Sequence, residues 1–288
     1  PVEKGHTNAA EVSRMRFFLH APLPRTYANY VGRKLFRFLL TIQGFVAFAL
    51  ITLGVIVTKF RSARDVILPR TINEIARSGL RLLPLFAFMS VALGLVVIGQ
   101  AVSWLSRVGG TNTILGTIMV LAVVRELGPF ATALLLLSRT GTANVIELGT
   151  ARALGEVEAL EALGIDPVHY LVVPRVIGMS VGVFCLTTYV ILGALVSGYL
   201  WAFLQNVPLR PNDYFRQLAE SLSSLDFAVL AVKSCLFGFF IAIITCYHGL
   251  AQPLALEEVS QATVRAVAQS VIACVLLDVM FILLYLAV

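Results

Sequence analysis

Six long apolar stretches run through the sequence, and they limit the fold more than any other feature. About 20 consecutive apolar residues in a helix cross a hydrocarbon core of about 30 Å, and each stretch reaches that length. Hydrophobic residues make up 58% of the 288-residue chain and charged residues only 13%, so little polar sequence remains for a large soluble domain. This excludes a self-contained ATPase, a DNA-binding module and an extracellular receptor, and it predicts an all-α polytopic membrane protein. The stretches cover residues 38–58, 82–103, 115–138, 176–204, 227–247 and 266–287.

Positive charges flank the first apolar stretch, 38–58, on both sides. Cytoplasmic segments of membrane proteins carry an excess of Lys and Arg, so both flanks are predicted to be cytoplasmic. We therefore predict that this stretch lies in, or dips into, the cytoplasmic leaflet as an interfacial helix. An ordinary first span remains the alternative, because the stretch has almost no polar face. The cations are Lys4, Arg14, Arg16, Arg25, Arg33, Lys34 and Arg37 before it, and Lys59, Arg61, Arg64, Arg70, Arg77 and Arg81 after it.

The other five stretches are then predicted to cross the membrane in alternating directions. This places the N-terminus in the cytoplasm and the C-terminus on the outer side. In the second outer loop, Pro208 marks a turn, and a short helix is predicted over Asn212–Ser221. The cytoplasmic loops cover residues 139–175 and 248–265, and the outer loops cover residues 104–114 and 205–226.

A regular segment lies within the cytoplasmic loop between the second and third spans. Residues 153–164 consist of helix formers, Gly164 offers a C-terminal cap, and Pro167 prevents the helix from continuing. Its acidic residues, which have no basic partner of their own, indicate a docking element for another protein. A helix resting on the bilayer is the alternative, which anionic headgroups disfavour by repelling acidic side chains. The apolar stripe is Leu154, Val157, Leu160, Ala162 and Leu163, and the acidic residues are Glu156, Glu158 and Glu161.

Three charged residues fall at membrane depth. Arg125 and Glu126 lie near the middle of the second span, and Lys233 lies several residues into the fourth. Each costs about 2.5 to 3.5 kcal/mol on insertion scales, so they are expected to face the bundle interior and to find partners. They form either a structural ion pair or a set that lines the transport path and latches two helices. Asp278 in the last span is a weaker case, for which a hydrogen bond to a neighbouring hydroxyl suffices.

No pattern in the sequence predicts a metal site or a nucleotide site in this chain. The four histidines lack ligand spacing, and the four cysteines lie in apolar stretches without a Cys-x-x-Cys pattern. The chain lacks the G-x-x-x-x-G-K-[ST] sequence that holds nucleotide phosphates. The net charge of +6 follows the predicted membrane topology, so nucleic acid is not predicted as a partner.

Several motifs, in matching order and spacing, resemble those of the MlaE/YrbE permease family. A weaker match follows at residues 262–267, and the resemblance covers about residues 30–288. The motifs are Arg125-Glu126-Leu127-Gly128-Pro129, Glu147-Leu148-Gly149, Glu158-Ala159-Leu160-Glu161, Gly164-Ile165-Asp166-Pro167 and Pro174-Arg175.

The resemblance implies a domain organisation and a set of partners. Family members have an N-terminal interfacial helix, here residues 30–58, then five transmembrane helices with a cytoplasmic coupling helix between the second and third. Residues 1–29 would form a cytoplasmic extension and residues 30–288 the permease domain. The implied partners are a second copy of the chain, an ABC ATPase subunit, an MCE-domain protein, a small STAS-domain subunit and phospholipid. The ATPase would bind and hydrolyse ATP, so this chain is expected to be no enzyme and to hold no cofactor.

The resemblance and the charge pattern together define two sets of candidate site residues in an inner-membrane protein. A stand-alone secondary carrier or channel, with Glu126 and Lys233 as an ion relay, remains the alternative function. A carrier has no reason to display the coupling helix, and a purely structural scaffold would tolerate apolar replacement of the charges. The transport path or charge pair is Arg125, Glu126 and Lys233, and the ATPase-coupling set is Glu156, Val157, Leu160, Glu161, Leu163, Gly164 and Asp166.

Overall fold

Every element in the described part of the chain is helical. The computed structural model describes residues 43–56, 64–108, 115–205, 211–250 and 255–287. Five helices are long and apolar enough to cross a membrane, and a shorter apolar helix precedes them. This confirms the predicted all-α fold of a short helix followed by five spans. The predicted extension at 1–29 and both ends of the predicted interfacial helix, 30–42 and 57–58, lie outside the described residues.

Nine helices are labelled here in chain order within the described ranges. The short helix α1 is Gln43–Ile56. Helix α2 is Arg64–Ser78, α3 is Leu83–Val108, α4 covers residues 115–153, and α5 is Glu156–Ala162. Helix α6 is Val168–Leu204, α7 is Pro211–Ser221, α8 is Ser224–Leu250, and α9 is Val259–Ala287.

Helix α6 lies at the centre of the larger of two units, Phe48–Val288. It packs against α2, α3, α4 and α8, while α9 packs against α4 and α8. The smaller unit is Pro1–Ala47, of which the structure describes only the beginning of α1. Because α6 contacts four helices, its faces are the most constrained surfaces of the bundle.

Small residues let α6 approach α2 and α3 closely. A side chain added at Gly94 on α3 would overlap the Ala194 carbonyl oxygen and the Ser197 hydroxyl of α6. Ser78 of α2 donates a hydrogen bond to the Gly178 carbonyl oxygen at 3.1 Å. Helices inside a membrane associate through such close contacts, because lipid provides no hydrophobic driving force between them.

The helices run further than the apolar stretches that predicted them, mainly at their predicted cytoplasmic ends. The first candidate span, Leu68–Trp104, includes most of α2 as well as α3, although residues 82–103 were predicted. The second ends at Ala153 where residue 138 was predicted. The third begins at Val168 where residue 176 was predicted. Hydropathy marks only the length inside the hydrocarbon, whereas a helix continues beyond it because its backbone hydrogen bonds stay satisfied internally.

The short helix of the second outer loop is confirmed as α7. Tyr214 and Leu218, one turn apart, are buried, whereas Arg216 and Glu220 form an ion pair on the exposed side. The Tyr214 hydroxyl donates to the Leu195 carbonyl oxygen at 3.2 Å, and burial raises the pKa of Tyr214. Helix α7 is therefore attached to α6 by a neutral hydroxyl and an apolar face.

Candidate functional site

Lys233 is buried between three spanning helices and has three partners. Its side chain lies on α8 with 1% of the residue exposed, and its ammonium is 2.9 Å from Glu126 Oε2 and 2.7 Å from Asp278 Oδ1. It also donates to the Arg125 carbonyl oxygen at 2.9 Å. Two of the three ammonium hydrogens have hydrogen-bond acceptors, on Arg125 and Glu126, and the Asp278 carboxylate faces the charge as an ion-pair partner. This explains how a lysine is tolerated at this depth, because a buried charge must be paired and hydrogen-bonded.

A second ion pair lies beside the first. Arg125 Nη2 donates to Asp226 Oδ2 at 3.1 Å, and Arg125 Nε lies 3.1 Å from Oδ1. The Tyr285 hydroxyl of α9 donates to Asp226 Oδ1 at 2.7 Å, and the Ser223 amide donates to Oδ2 at 2.9 Å. Asp226 is buried, so its carboxylate is stabilised by three separate donors.

The two adjacent charges on α4 contact partners that are well separated on α8. Asp226 and Lys233 are seven residues apart, which corresponds to two helical turns and about 10.5 Å along the axis. Helix α4 is π-helical over Val120–Leu127, a wider turn that is rare and concentrated at functional sites. A cavity of only about 10 Å³ separates the two pairs, which is the lower limit for one water molecule. The space between the two pairs therefore holds at most one water molecule.

The structure brings Glu126 and Lys233 together, and it corrects the interpretation of Asp278. The sequence made Asp278 the weaker case, for which a bond to a hydroxyl would suffice, but its carboxylate pairs with Lys233. The reason is that α9 packs against α8, so Asp278 and Glu126 reach the ammonium from different helices. Arg125 does not join this pair through its side chain, which points to Asp226.

A third charge cluster ties the predicted cytoplasmic ends of α2, α4 and α6 together. The two terminal nitrogens of the Arg77 guanidinium, Nη1 and Nη2, donate to the two carboxylate oxygens of Glu147. Arg175 Nη2 donates to Glu147 Oε2 at 3.1 Å, and Arg175 Nε lies 3.9 Å from Glu74. Glu147 and Arg175 were noted in the sequence only as motif residues, with no role assigned. Both residues lie in motifs within the predicted loop 139–175, and their opposite charges were the only sign in the sequence that they form an ion pair.

The coupling helix is shorter than the predicted range 153–164. Helix α4 ends at Ala153 and α5 begins at Glu156. Between them the backbone turns at Gly155, which has a φ of 77°. A left-handed φ of this kind is accessible to glycine without steric cost. The prediction treated the segment as one helix because the propensity of its residues does not reveal the turn at Gly155.

Gly164 ends α5 as predicted. Its φ is 74°, its amide donates to the Glu161 carbonyl oxygen, and the next amide, Ile165, donates to Leu160. This pair of bonds is the Schellman arrangement of a helix C-terminus. The Asp166 carboxylate then accepts a hydrogen bond at 3.0 Å from the amide of Val168, the first residue of α6. Helix α5 is therefore fixed by a left-handed glycine at each end.

The predicted apolar stripe of α5 is only partly buried. Val157 is 1% exposed and anchors the helix, while Leu160 is half-buried. Leu163 is 75% exposed, and Leu154, which lies before the helix, is also exposed. The sequence predicted an apolar stripe on a docking helix, and the turn at Gly155 separates Leu154 from the rest of that stripe. Glu156, Glu158 and Glu161 are exposed as predicted.

A groove of about 340 Å³ lies between α5 and the neighbouring helix ends. Val157, Leu160 and Leu163 line one side. On the other side the Arg70 guanidinium lies 3.8 Å from the centre of the Tyr170 ring and donates to its hydroxyl at 2.6 Å. The surface around α5 thus combines exposed apolar side chains with acidic residues and two arginines, Arg70 and Arg152. Arg152 lies 3.5 Å from Glu158, so this glutamate has a basic partner that the sequence did not predict.

One sequence pattern typical of hydrolases has a packing role here. Residues 178–182 read G-M-S-V-G, but they lie inside α6, and Ser180 donates to the Val176 carbonyl oxygen at 2.8 Å. A hydrolase nucleophile of this motif requires a sharp strand-to-helix turn. Among the described residues, no group of three or more His, Cys, Asp and Glu side chains is placed to hold a metal ion.

Comparison with known proteins gives a consistent result. Residues 71–284 match the family model described as Permease MlaE. A probable ABC transporter permease protein of Rickettsia prowazekii is 30% identical over 243 residues, which are 84% of this chain and 91% of the relative. A probable ABC transporter permease protein of Synechocystis is 34% identical over 169 residues, 57% of this chain and 62% of the relative. The chloroplastic protein Trigalactosyldiacylglycerol 1 of Arabidopsis thaliana is 28% identical over 213 residues, 72% of this chain and 59% of the relative.

Proposed function

The chain belongs to the MlaE permease family, and from that premise we propose that it forms the membrane path of an ABC transporter for a phospholipid or another hydrophobic molecule. As a permease it is a multi-pass membrane subunit of a transporter. The transported molecule passes between the inner membrane and an MCE-domain carrier on the outer side. The Arabidopsis relative bears the name of a galactolipid, which supports a lipid as the transported molecule.

The observation that carries this proposal is the position of α5 and the exposure of its apolar and acidic side chains. The helix connects α4 directly to α6, and both helices contribute to the charge cluster around Glu147. Its Leu163 is exposed although it is apolar, and its three glutamates are also exposed. Leu163 lines one apolar groove together with Val157 and Leu160, and an apolar groove with a polar rim is typical of a protein interface. We assign this surface to the ATPase subunit, which binds ATP.

The Lys233 cluster is the second part of the proposal. Lys233 joins α4, α8 and α9 through Glu126 and Asp278. The side chain of Glu126 is 34% exposed while that of Lys233 is 2% exposed, so the carboxylate is the accessible member. A polar group of this kind inside an apolar bundle can be exchanged between partners during transport. We therefore place the transport path beside Glu126.

The assembly follows from the same premise. Two copies of the chain pair in the inner membrane, with an ABC ATPase on the cytoplasmic side and an MCE-domain protein on the outer side. A small STAS-domain subunit completes the complex. The N-terminus is cytoplasmic and the C-terminus lies on the outer side.

Substituting Asp for Leu163 is expected to weaken binding of the ATPase without affecting insertion of the permease. A docked leucine contributes about 1.5 to 3 kcal/mol, so affinity should fall on the order of tenfold to a hundredfold. The measurement is copurification of the ATPase with tagged permease, together with lipid transport in proteoliposomes. Val157→Asp is the matched control, because Val157 is buried within the permease and its loss should lower expression instead.

Normal ATPase copurification and normal transport by the Leu163→Asp variant would refute the docking assignment. Transport that persists without any ATPase would favour the alternative of a stand-alone carrier or channel that uses Glu126 and Lys233 as a relay. A variant that loses the ATPase while keeping its expression level would support the proposal.

The orientation is tested with two exposed positions in a variant that lacks the four native cysteines. A cysteine at Asn212 on α7 should react with an impermeant thiol reagent added from outside, and a cysteine at Glu161 on α5 should react only after the membrane is opened. Both positions are exposed, so accessibility within the protein does not limit the reaction. The reverse labelling pattern would overturn the proposed topology.

A further inference from the structure

Pro129 lies inside the second span, four residues after Arg125. Proline has no amide hydrogen, so the Arg125 carbonyl oxygen cannot receive the hydrogen bond that residue i+4 gives it in an α-helix. Inside a membrane no water is available to replace that donor, and an unsatisfied carbonyl is costly. A donor from another helix can take the place of the missing amide at this position.

Lys233 supplies that donor. Its ammonium donates to the Arg125 carbonyl oxygen at 2.9 Å, and its other contacts are the carboxylates of Glu126 and Asp278. The backbone before Pro129 is π-helical over Val120–Leu127, and the Gly128 amide bonds the Val123 carbonyl oxygen five residues back. The missing amide, the wide turn and the buried ammonium thus meet at one carbonyl group.

We propose that Lys233 is a positioning residue for the second span, whose ammonium replaces the amide hydrogen that Pro129 lacks and thereby holds the π-helical turn. The turn directs Arg125 toward Asp226 and Glu126 toward Lys233. This role goes beyond the transport proposal, because it concerns the backbone of α4 and holds whichever molecule is transported.

The role links the carboxylates to the backbone of α4. Glu126 and Asp278 hold the ammonium in place, so a change at either carboxylate reaches the Arg125 carbonyl through Lys233.

A cycle of variants tests the coupling between Lys233 and Pro129. A neutral background combines Glu126→Gln, Asp278→Asn and Lys233→Met, so that no charge in the cluster is left without a partner. Adding Pro129→Ala restores an amide that can bond the Arg125 carbonyl. The melting temperature of the full-length chain in nanodiscs should then rise by about 3 °C or more, whereas Pro129→Ala in the original chain should give no rise.

Pro174→Ala is the matched control, because Pro174 also follows a π-helical turn, Val168–Val172 of α6, and lies outside the cluster. Its effect on the melting temperature should be the same in both backgrounds, as for independent sites. The same shift for Pro129→Ala in both backgrounds would overturn the proposal, since Lys233 would then act only through the carboxylates.

A spectroscopic measurement keeps the proposal testable if the neutral variant does not accumulate. The original chain is labelled with carbonyl-¹³C arginine and side-chain-¹⁵N lysine in lipid bilayers. Solid-state NMR should detect dipolar coupling between one arginine carbonyl and a lysine ammonium, and this coupling should be lost in Lys233→Arg. Absence of the coupling in the original chain would also overturn the proposal, irrespective of any result on transport or ATPase binding.

Discussion

Replacing Lys233 with methionine is expected to destabilise the chain by about 3 to 5 kcal/mol. The change leaves the Asp278 carboxylate, which is mostly buried, and the partly exposed Glu126 carboxylate without a cation, and breaking a buried pair costs about this much. The cavity beside Lys233 is too small to admit more than one water molecule, so solvent cannot replace the lost charge. The measurement is thermal unfolding of the detergent-purified chain. Arg216→Met is the control, because the Arg216–Glu220 pair is exposed and its loss should change stability little.

The neutral counterpart separates packing from transport. Glu126→Gln with Lys233→Met is not neutral in this structure, since it leaves the Asp278 carboxylate buried without its partner. The set that also contains Asp278→Asn should recover most of the stability lost in Lys233→Met. A role in the transport path predicts that this set assembles as a dimer and does not transport lipid. Normal transport would instead assign Glu126 and Lys233 to packing alone.

The second large effect is expected at the contact between α3 and α6. A Cβ atom at Gly94 would overlap the Ala194 carbonyl oxygen, a backbone atom that cannot move aside without shifting α6. Gly94→Ala should therefore cost about 1 to 3 kcal/mol from overpacking, although alanine favours the helix by about 1 kcal/mol. Gly94→Leu should prevent the two helices from packing and should greatly reduce the yield of folded protein.

Gly99→Ala is the control on the same helix. Its Cβ would lie 3.4 Å from the Trp201 ring nitrogen, which is an ordinary contact. The measurement is the folded fraction by size-exclusion chromatography and the melting temperature for both variants. Equal behaviour of Gly94→Ala and Gly99→Ala would show that the contact between α3 and α6 is looser than the structure indicates.

The sequence by itself predicted the features that depend on local properties of the chain. Apolar length located five spans, because a helix in lipid needs a continuous apolar surface over a fixed distance. Turn residues placed the short helix α7, and the glycine at Gly164 correctly ended α5, because both signals act within a few residues. The cost of burying a charge indicated that Glu126 and Lys233 must find partners, which the structure shows to be each other.

Tertiary structure alone decided the features that depend on which helices become neighbours. Asp278 is 45 residues from Lys233 in the sequence, and only the packing of α9 on α8 makes it the second carboxylate of the cluster. Glu147 reaches Arg77 and Arg175 only because α4 lies beside α2 and α6. The extra helical turns at the predicted cytoplasmic ends contain charged and polar residues among the apolar ones, so hydropathy does not detect them although their backbones remain hydrogen-bonded. Local periodicity carries no information on such pairings, because they are set by the packing of whole helices against one another.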